Sequence, residues 1–265
     1  MTTPAASLDT APAAPAKPAA LWEDLIDIFT SPSAVFRRRR DGRFWLPLLV
    51  YTLLATATFY VGRPVLRPAF ERQMSAQVAK ITADPNMSAE QKEAIGNRIR
   101  GSVDSPFAVL FAAVGVPFVT FLAALGLWLV AKPFGSGATL GQSMAVTALG
   151  GIPRATVGLL VAAVSLAMGR EAGTMYGTSA SPAAFMGPDA SLVTAALLSR
   201  FDLGVLWHTV LLGIGIALMG RLTRRGGEPV VEGEIPRSKG LTAAAIVWAL
   251  AGLLTVGQVL NQSAS

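Results

Sequence analysis

Five stretches of this sequence are long, apolar and almost free of charge, and they leave few folds open. They run over 44–62, 107–131, 140–168, 203–220 and 241–260. A bilayer core about 30 Å thick needs roughly 20 apolar residues at 1.5 Å each. The first, second and fifth stretches hold no charged residue, the fourth holds only His208, and the third holds Arg154. Five core helices of a soluble protein would need a polar layer to cover them. Only 14% of the 265 residues are charged, whereas a soluble domain carries roughly a quarter. The expected fold is therefore an all-α membrane protein, a five-helix transmembrane bundle.

Lys and Arg set the expected orientation. Arg37, Arg38, Arg39, Arg40 and Arg43 precede the first span. Lys132 lies between the second and third, and Arg221, Arg224, Arg225, Arg237 and Lys239 lie between the fourth and fifth. An odd number of spans puts these segments on one side, which the positive-inside rule makes the cytoplasm. The N-terminus is then cytoplasmic and the C-terminus extracytoplasmic. The opposite loop, 169–202, holds only Arg170 and Arg200 as basic residues. The segment 63–104 mixes both charge signs, and long translocated segments follow the rule weakly.

The spans divide the rest of the chain. Residues 1–20 form an Ala- and Pro-rich tail with no signal-like apolar core, too polar to fold alone. Residues 21–43 form a cytoplasmic interfacial segment. Leu21, Trp22, Leu25, Ile28 and Phe29 share one helical face, opposite Glu23, Asp24 and Asp27. This predicts an amphipathic N-terminal helix on the cytoplasmic leaflet, with Trp22 at the interface. Arg37, Arg38, Arg39 and Arg40 would reach anionic phospholipid, and the acidic face would meet water or a partner. The membrane domain spans 44–260, with 63–104 as an extracytoplasmic helical hairpin insert. In that insert Phe70, Met74, Val78 and Ile81 recur at helical spacing, and Asp84-Pro85-Asn86 breaks the run. Ser88 and Gln91 form a capping-box pattern before Ile95, Ile99 and Val103.

Four residues inside or beside the spans stand out. Arg154 lies in the third stretch, where a charge costs about 3 kcal/mol or more. It reads as a substrate contact or gate, or as a structural arginine satisfied by carbonyls freed around Pro153 or by snorkelling. A kink at Pro153, or an interfacial start, would shorten this overlong stretch. Asp202 heads the fourth span, either as a partner for Arg154 or as a helix cap. His208 is the only histidine, so a half-buried polar residue is the plainer reading than a metal ligand. There is no cysteine, which excludes thiolate zinc sites, iron–sulfur clusters and cysteine nucleophiles. No phosphate-loop lysine motif, His-Glu-x-x-His or Gly-x-Ser-x-Gly occurs. No acidic residue lies inside a span, so carboxylate-driven proton coupling has no relay. These features predict no cofactor, no metal and no enzymatic activity. The net charge of +6 reads as juxtamembrane charge, with no nucleic-acid partner.

Three motifs carry a resemblance. Phe29-Thr30-Ser31-Pro32-Ser33-Ala34-Val35-Phe36 looks like an aromatic–Ser-Pro–aromatic approach to the membrane. Gly151-Ile152-Pro153-Arg154 supplies a mid-span proline. Ser199-Arg200-Phe201-Asp202-Leu203-Gly204-Val205-Leu206-Trp207 leads into a Leu- and Gly-rich span. In this order the chain resembles the Yip domain family, the Ypt/Rab-GTPase-interacting membrane proteins, and in particular its bacterial members. The resemblance implies a five-helix membrane domain with a cytoplasmic N-terminus. The alanine-rich composition and short tail point to a bacterial inner membrane, where there is no Rab partner. The expected function is a non-catalytic membrane scaffold or partner-binding protein. The alternative is a transporter, permease or channel subunit with Arg154 near a hydrated path. A homo-oligomer or a membrane-protein partner fits either.

The premise common to these readings is checkable. The chain should sediment with membranes through an alkaline carbonate wash and be released only by detergent. Recovery as a dispersed folded protein in plain buffer would contradict lipid solvation of the five stretches.

Overall fold

The computed structural model describes residues 21–81, 87–103, 106–225 and 228–264. The tail 1–20 and the Asp84-Pro85-Asn86 break lie outside the described residues. In chain order the helices are α1 Leu21–Thr30, α2 Pro32–Arg38, α3 Trp45–Ile81, α4 Ala89–Val103, α5 Pro106–Ala131 and α6 Leu140–Ala167. They continue with α7 Leu192–Ser199, α8 Leu203–Leu218 and α9 Arg237–Ala264. Strands β1 Arg221–Arg225 and β2 Glu228–Glu232 stand between α8 and α9. Four helical segments are long and apolar enough to cross a membrane: Trp45–Ala76, Ala113–Phe134, Leu140–Ala167 and Arg237–Asn261. The pair α7 and α8, bent by 46°, makes a fifth crossing if counted as one span.

The bundle is built around α6. In its most apolar stretch 44% of the residues are buried, against 11% for α9, so α6 is the central helix. It begins with a capping box: Gln142 N donates to Thr139 Oγ1 at 3.2 Å and Thr139 N to Gln142 Oε1 at 2.9 Å. Helices α3, α5 and α8 pack on it, and α9 packs on α8. Val146, Leu149 and Ile152 of α6 join Leu127, Leu211, Ile216 and Met219 in the main core. The outward faces are apolar: Leu53 of α3, Val114 and Phe118 of α5, and Leu253 and Leu254 of α9 are all more than half exposed. Side chains of this kind suit hydrocarbon as their solvent.

Three expectations change. The first helix does not end near residue 62. It runs on past Pro64 and Pro68 to Ile81, and the hairpin insert is the far part of α3 with α4. Packing offsets the backbone bonds the prolines remove. Val65 and Leu66 cluster with Ala172, and Arg72 donates to the carbonyls of Ala172 (2.8 Å) and Gly173 (3.0 Å). The second arm starts with the Ser88–Gln91 capping box, both bonds made. In the third span Pro153 does not break the helix, and no separate interfacial helix precedes it. The fourth span, read from sequence as 203–220, ends at Leu218. At 1.5 Å per residue α8 is about 24 Å long, short of the bilayer core, and needs α7 to complete the crossing. The chain then enters the antiparallel β1–β2 hairpin, where Arg221 pairs with Glu232 and Arg225 with Glu228. The sequence reading placed no strand there, although Gly226-Gly227 before β-branched Val230 and Val231 is a hairpin signal.

The leading helices depart furthest from expectation. They dock on the bundle. Ile28, Val35 and Phe36 are fully buried in the main core. The acidic face of α1 is turned inward at Asp24, which is 0% exposed. Arg38 Nε and Arg39 Nε donate to its two carboxylate oxygens at 2.9 and 2.5 Å, and Arg38 also pairs with Asp27 at 2.7 Å. Burial disfavours the Arg38 charge, but hydrogen bonds and charge from Asp27 and Asp24 outweigh this and raise its pKa. Arg40 donates to Leu218 O at 3.0 Å and pairs with Glu234. Arg38, Arg39 and Arg40 are thus occupied by protein acceptors, because a buried carboxylate and the α8 C-terminus need donors. Arg37 is exposed. A stripe of Trp22, Ile26 and Phe29, four and three residues apart, faces outward.

Three substitutions test this packing. A Cβ on Gly213 would lie 2.7 Å from Leu241 Cα, at the α8–α9 contact. Gly213→Val should therefore destabilise the detergent-solubilised protein by about 1–3 kcal/mol. Gly126, with open space around it, should accept Ala with a gain of up to about 1 kcal/mol. Asp24→Asn should cost about 2–3 kcal/mol, less than a fully buried pair because both arginines are partly hydrated. It should also speed tryptic cleavage within 37–43. The thermal midpoint and a timed digest report both.

Candidate functional site

Arg154 stands halfway along α6, directly after the buried Pro153, and opens into two clefts. One, about 390 Å³, lies between α3, α6, α8 and the 169–202 loop and is lined by Tyr51, Thr58, Arg154, Tyr176, Arg200 and Asp202. The other, about 320 Å³, lies among α3, α5, α6 and α8 and includes Tyr51, Thr120, Thr147, Arg154 and His208. A third cleft, about 490 Å³ and almost wholly apolar, is formed by Phe44, Trp45, Leu48, Pro117, Phe118 and Phe121. It opens on the lipid-facing side of α3 and α5 and holds no group that could do chemistry.

Arg154 makes no hydrogen bond or ion pair among the described residues. The carbonyl capture considered from sequence is absent among the described residues: Pro153 lacks an N–H and leaves the Leu149 carbonyl without its helical donor, but Arg154 does not bond to it. The arginine stem lies instead in a groove on α8, where a Cβ on Gly204 would come within 3.3 Å of Arg154 Cγ. Asp202 borders the same cleft without pairing with Arg154. Its two oxygens are already used: Oδ1 accepts from Val205 N at 3.0 Å and Oδ2 from Ala180 N at 2.6 Å. The first bond caps α8 and the second ties the 169–202 loop to that cap, so the carboxylate serves the helix N-terminus. His208 lies against Gly150 of α6, and its Nδ1 is buried without a hydrogen bond of good geometry. The residues singled out from sequence therefore share one region. Arg154 touches the clefts of both Asp202 and His208, and neither residue binds it.

Arg200, counted in the sequence reading only as a loop charge, belongs to this region. Its Nη2 donates to Trp248 O at 2.7 Å, its guanidinium lies 5.3 Å from the Trp248 ring centroid, and Trp248 Nε1 donates back to Arg200 O at 3.3 Å. Phe201 meets the same indole edge-on at 6.1 Å. This exchange clamps α9 to the elbow between α7 and α8. Arg200 Nε is buried without an acceptor. Tyr51 and Tyr176 were likewise missed. No motif marks them, and only the crossing of α3 over α6 and the fold of the loop bring them to Arg154. Among the described residues no group of three or more His, Asp or Glu side chains is placed to hold a metal.

The comparisons with known proteins agree with this architecture. The Yip1 domain family matches residues 26–258. Membrane protein YknW of Bacillus subtilis (strain 168) is 28% identical over 204 residues, covering 77% of this chain and 81% of that protein. No solved structure matches. With the match running from the docked α1 into α9, the chain belongs to the Yip1 domain family of membrane proteins.

Proposed function

We propose that the protein is a non-catalytic organising scaffold of the bacterial inner membrane, with its N-terminus in the cytoplasm and its C-terminus outside. The observation that carries this is the meeting of three segments at one end of the bundle. Gln142, in the first turn of α6, donates to Arg40 O at 2.7 Å and Gly220 O at 2.8 Å. Gly137 N donates to Gly233 O at 2.9 Å, and Arg237 reaches Ser33 Oγ at 3.3 Å. The leading segment, the turn before α6 and the β-hairpin thus form a single basic platform. The positive-inside rule favours the cytoplasm for that platform. On it α1 carries the outward stripe of Trp22, Ile26 and Phe29, a shape suited to a membrane interface or a partner helix.

A second reading, a transporter, permease or channel subunit, draws on the clefts that reach Arg154. A polar path beside a mid-helix charge is a known arrangement in transporters. The five apolar stretches hold no acidic residue, which weighs against proton coupling.

Because the chain has no cysteine, single introduced cysteines report sidedness cleanly. Ser263→Cys should react with an impermeant maleimide in intact spheroplasts, and Ser7→Cys only after the membrane is opened. The reverse pattern would overturn the orientation. A photocrosslinker at Ile26 should trap discrete membrane-protein partners, and Trp22→Ser with Phe29→Ser should abolish the adducts. Solute flux through purified proteoliposomes above the lipid background would favour the second reading.

A further inference from the structure

The larger polar cleft holds more positive charge and more free donors than the protein itself uses. Two guanidinium groups border it, Arg154 and Arg200. Asp202 is the one carboxylate among its lining residues, and its oxygens accept from backbone N–H groups and from neither arginine. Arg154 has no acceptor among the described residues, and Arg200 Nε has none. Tyr51 and Tyr176 also line the cleft, and neither hydroxyl is hydrogen-bonded among the described residues. Arg154 is exposed at the cleft and Arg200 partly so, so an anion entering it would gain charge-assisted contacts that no protein carboxylate supplies.

The two cations are also held in place. A Cβ on Gly204 would fall 3.3 Å from Arg154 Cγ, and a Cβ on Gly252 would fall 3.3 Å from Arg200 Nε. Each arginine stem therefore lies in a groove that a glycine leaves on a neighbouring helix. Trp248 fixes the far end of Arg200 through its carbonyl and its ring. A guanidinium that is already oriented loses little freedom when it binds, which favours planar, multidentate oxyanions. The volume of about 390 Å³ far exceeds the roughly 30 Å³ share of a single water. It suits a phosphate ester better than a bare halide.

We infer that this cleft is a binding site for a phosphate monoester or diester, with Arg154 and Arg200 as the charge-bearing contacts and Tyr51 and Tyr176 as additional donors. The site lies toward the α8 N-terminus, at the end of the bundle remote from the basic platform. The inference does not depend on the scaffold reading. Two sources present this chemistry, the headgroup of an anionic phospholipid and a soluble phosphate ester.

The test uses the full-length protein in nanodiscs. In discs of the phosphate-free lipid digalactosyldiacylglycerol, sn-glycerol 3-phosphate is titrated while the thermal midpoint and the Trp248-dependent fluorescence are followed. In a second arm, discs with increasing phosphatidylglycerol replace the soluble ester. A saturable response in the first arm identifies a soluble ester. A response in the second arm alone identifies a lipid headgroup. Either response should weaken at least about tenfold in Arg154→Gln and in Arg200→Gln, as expected for loss of a charged hydrogen bond. Tyr176→Phe, which leaves both arginine stems packed, should weaken it about threefold or more and serves if an arginine variant fails to fold. No saturable response in either arm would overturn the inference. So would responses that Tyr176→Phe and the folded arginine variants leave unchanged.

Discussion

Lipid is the solvent for most of this protein's surface, and the remaining features answer to that constraint. Hydrocarbon offers no hydrogen bonds, so every backbone group at membrane depth must be satisfied within a helix or by protein. The described crossings are accordingly helical, including the passage of α6 over Pro153 and of α3 over Pro64 and Pro68. The one irregular elbow, between α7 and α8, is closed by Arg200, Trp248 and the doubly bonded Asp202. Apolar burial between helices contributes little when lipid tails are equally apolar. Close approach takes its place, as where Gly213 meets Leu241 and Gly204 receives the Arg154 stem.

Charge is treated differently at the two ends of the bundle. At the basic platform each buried charge has a protein partner. Asp24 is held by Arg38 and Arg39, and Arg40 is shared between Leu218 O and Glu234. A buried, fully paired cluster is weak as a source of stability but strong as a fixer of position. Here it sets α1 against the core, so that Trp22, Ile26 and Phe29 face away from it. In the Arg154 cleft the balance is the opposite: two cations share a polar space whose single carboxylate is otherwise engaged. One end is electrostatically complete and the other is not, and that asymmetry separates the structural charges from those available to a ligand.

Much of the architecture was legible in the sequence. The uncharged stretches at 107–131 and 241–260 lie within α5 and α9, and the Thr-Leu-Gly-Gln and Ser-x-x-Gln signals start α6 and α4. The family could be read from the Phe-Asp-Leu approach to α8 and the mid-span Pro-Arg pair. Misreadings fell where a local signal was outweighed by packing. The apolar run of the first span stops at residue 62, yet the contacts of Val65, Leu66 and Arg72 with the 172–173 loop carry α3 onward.

The sequence by itself determined that the chain lives in a membrane, because hydropathy and charge are summed along a segment and need no neighbour. It also determined where α4, α6, α7 and α8 begin, because a side-chain cap is local. Only the tertiary structure decided which charges are paired. The arginines before the first span looked like a lipid-facing cluster until Asp24, more than a turn away on another helix, was folded against two of them. Arg154 on α6 and Arg200 at the α7–α8 elbow come to line one cleft only through packing. Electrostatic energy depends on distance in space and on the dielectric between groups, and a linear sequence specifies neither.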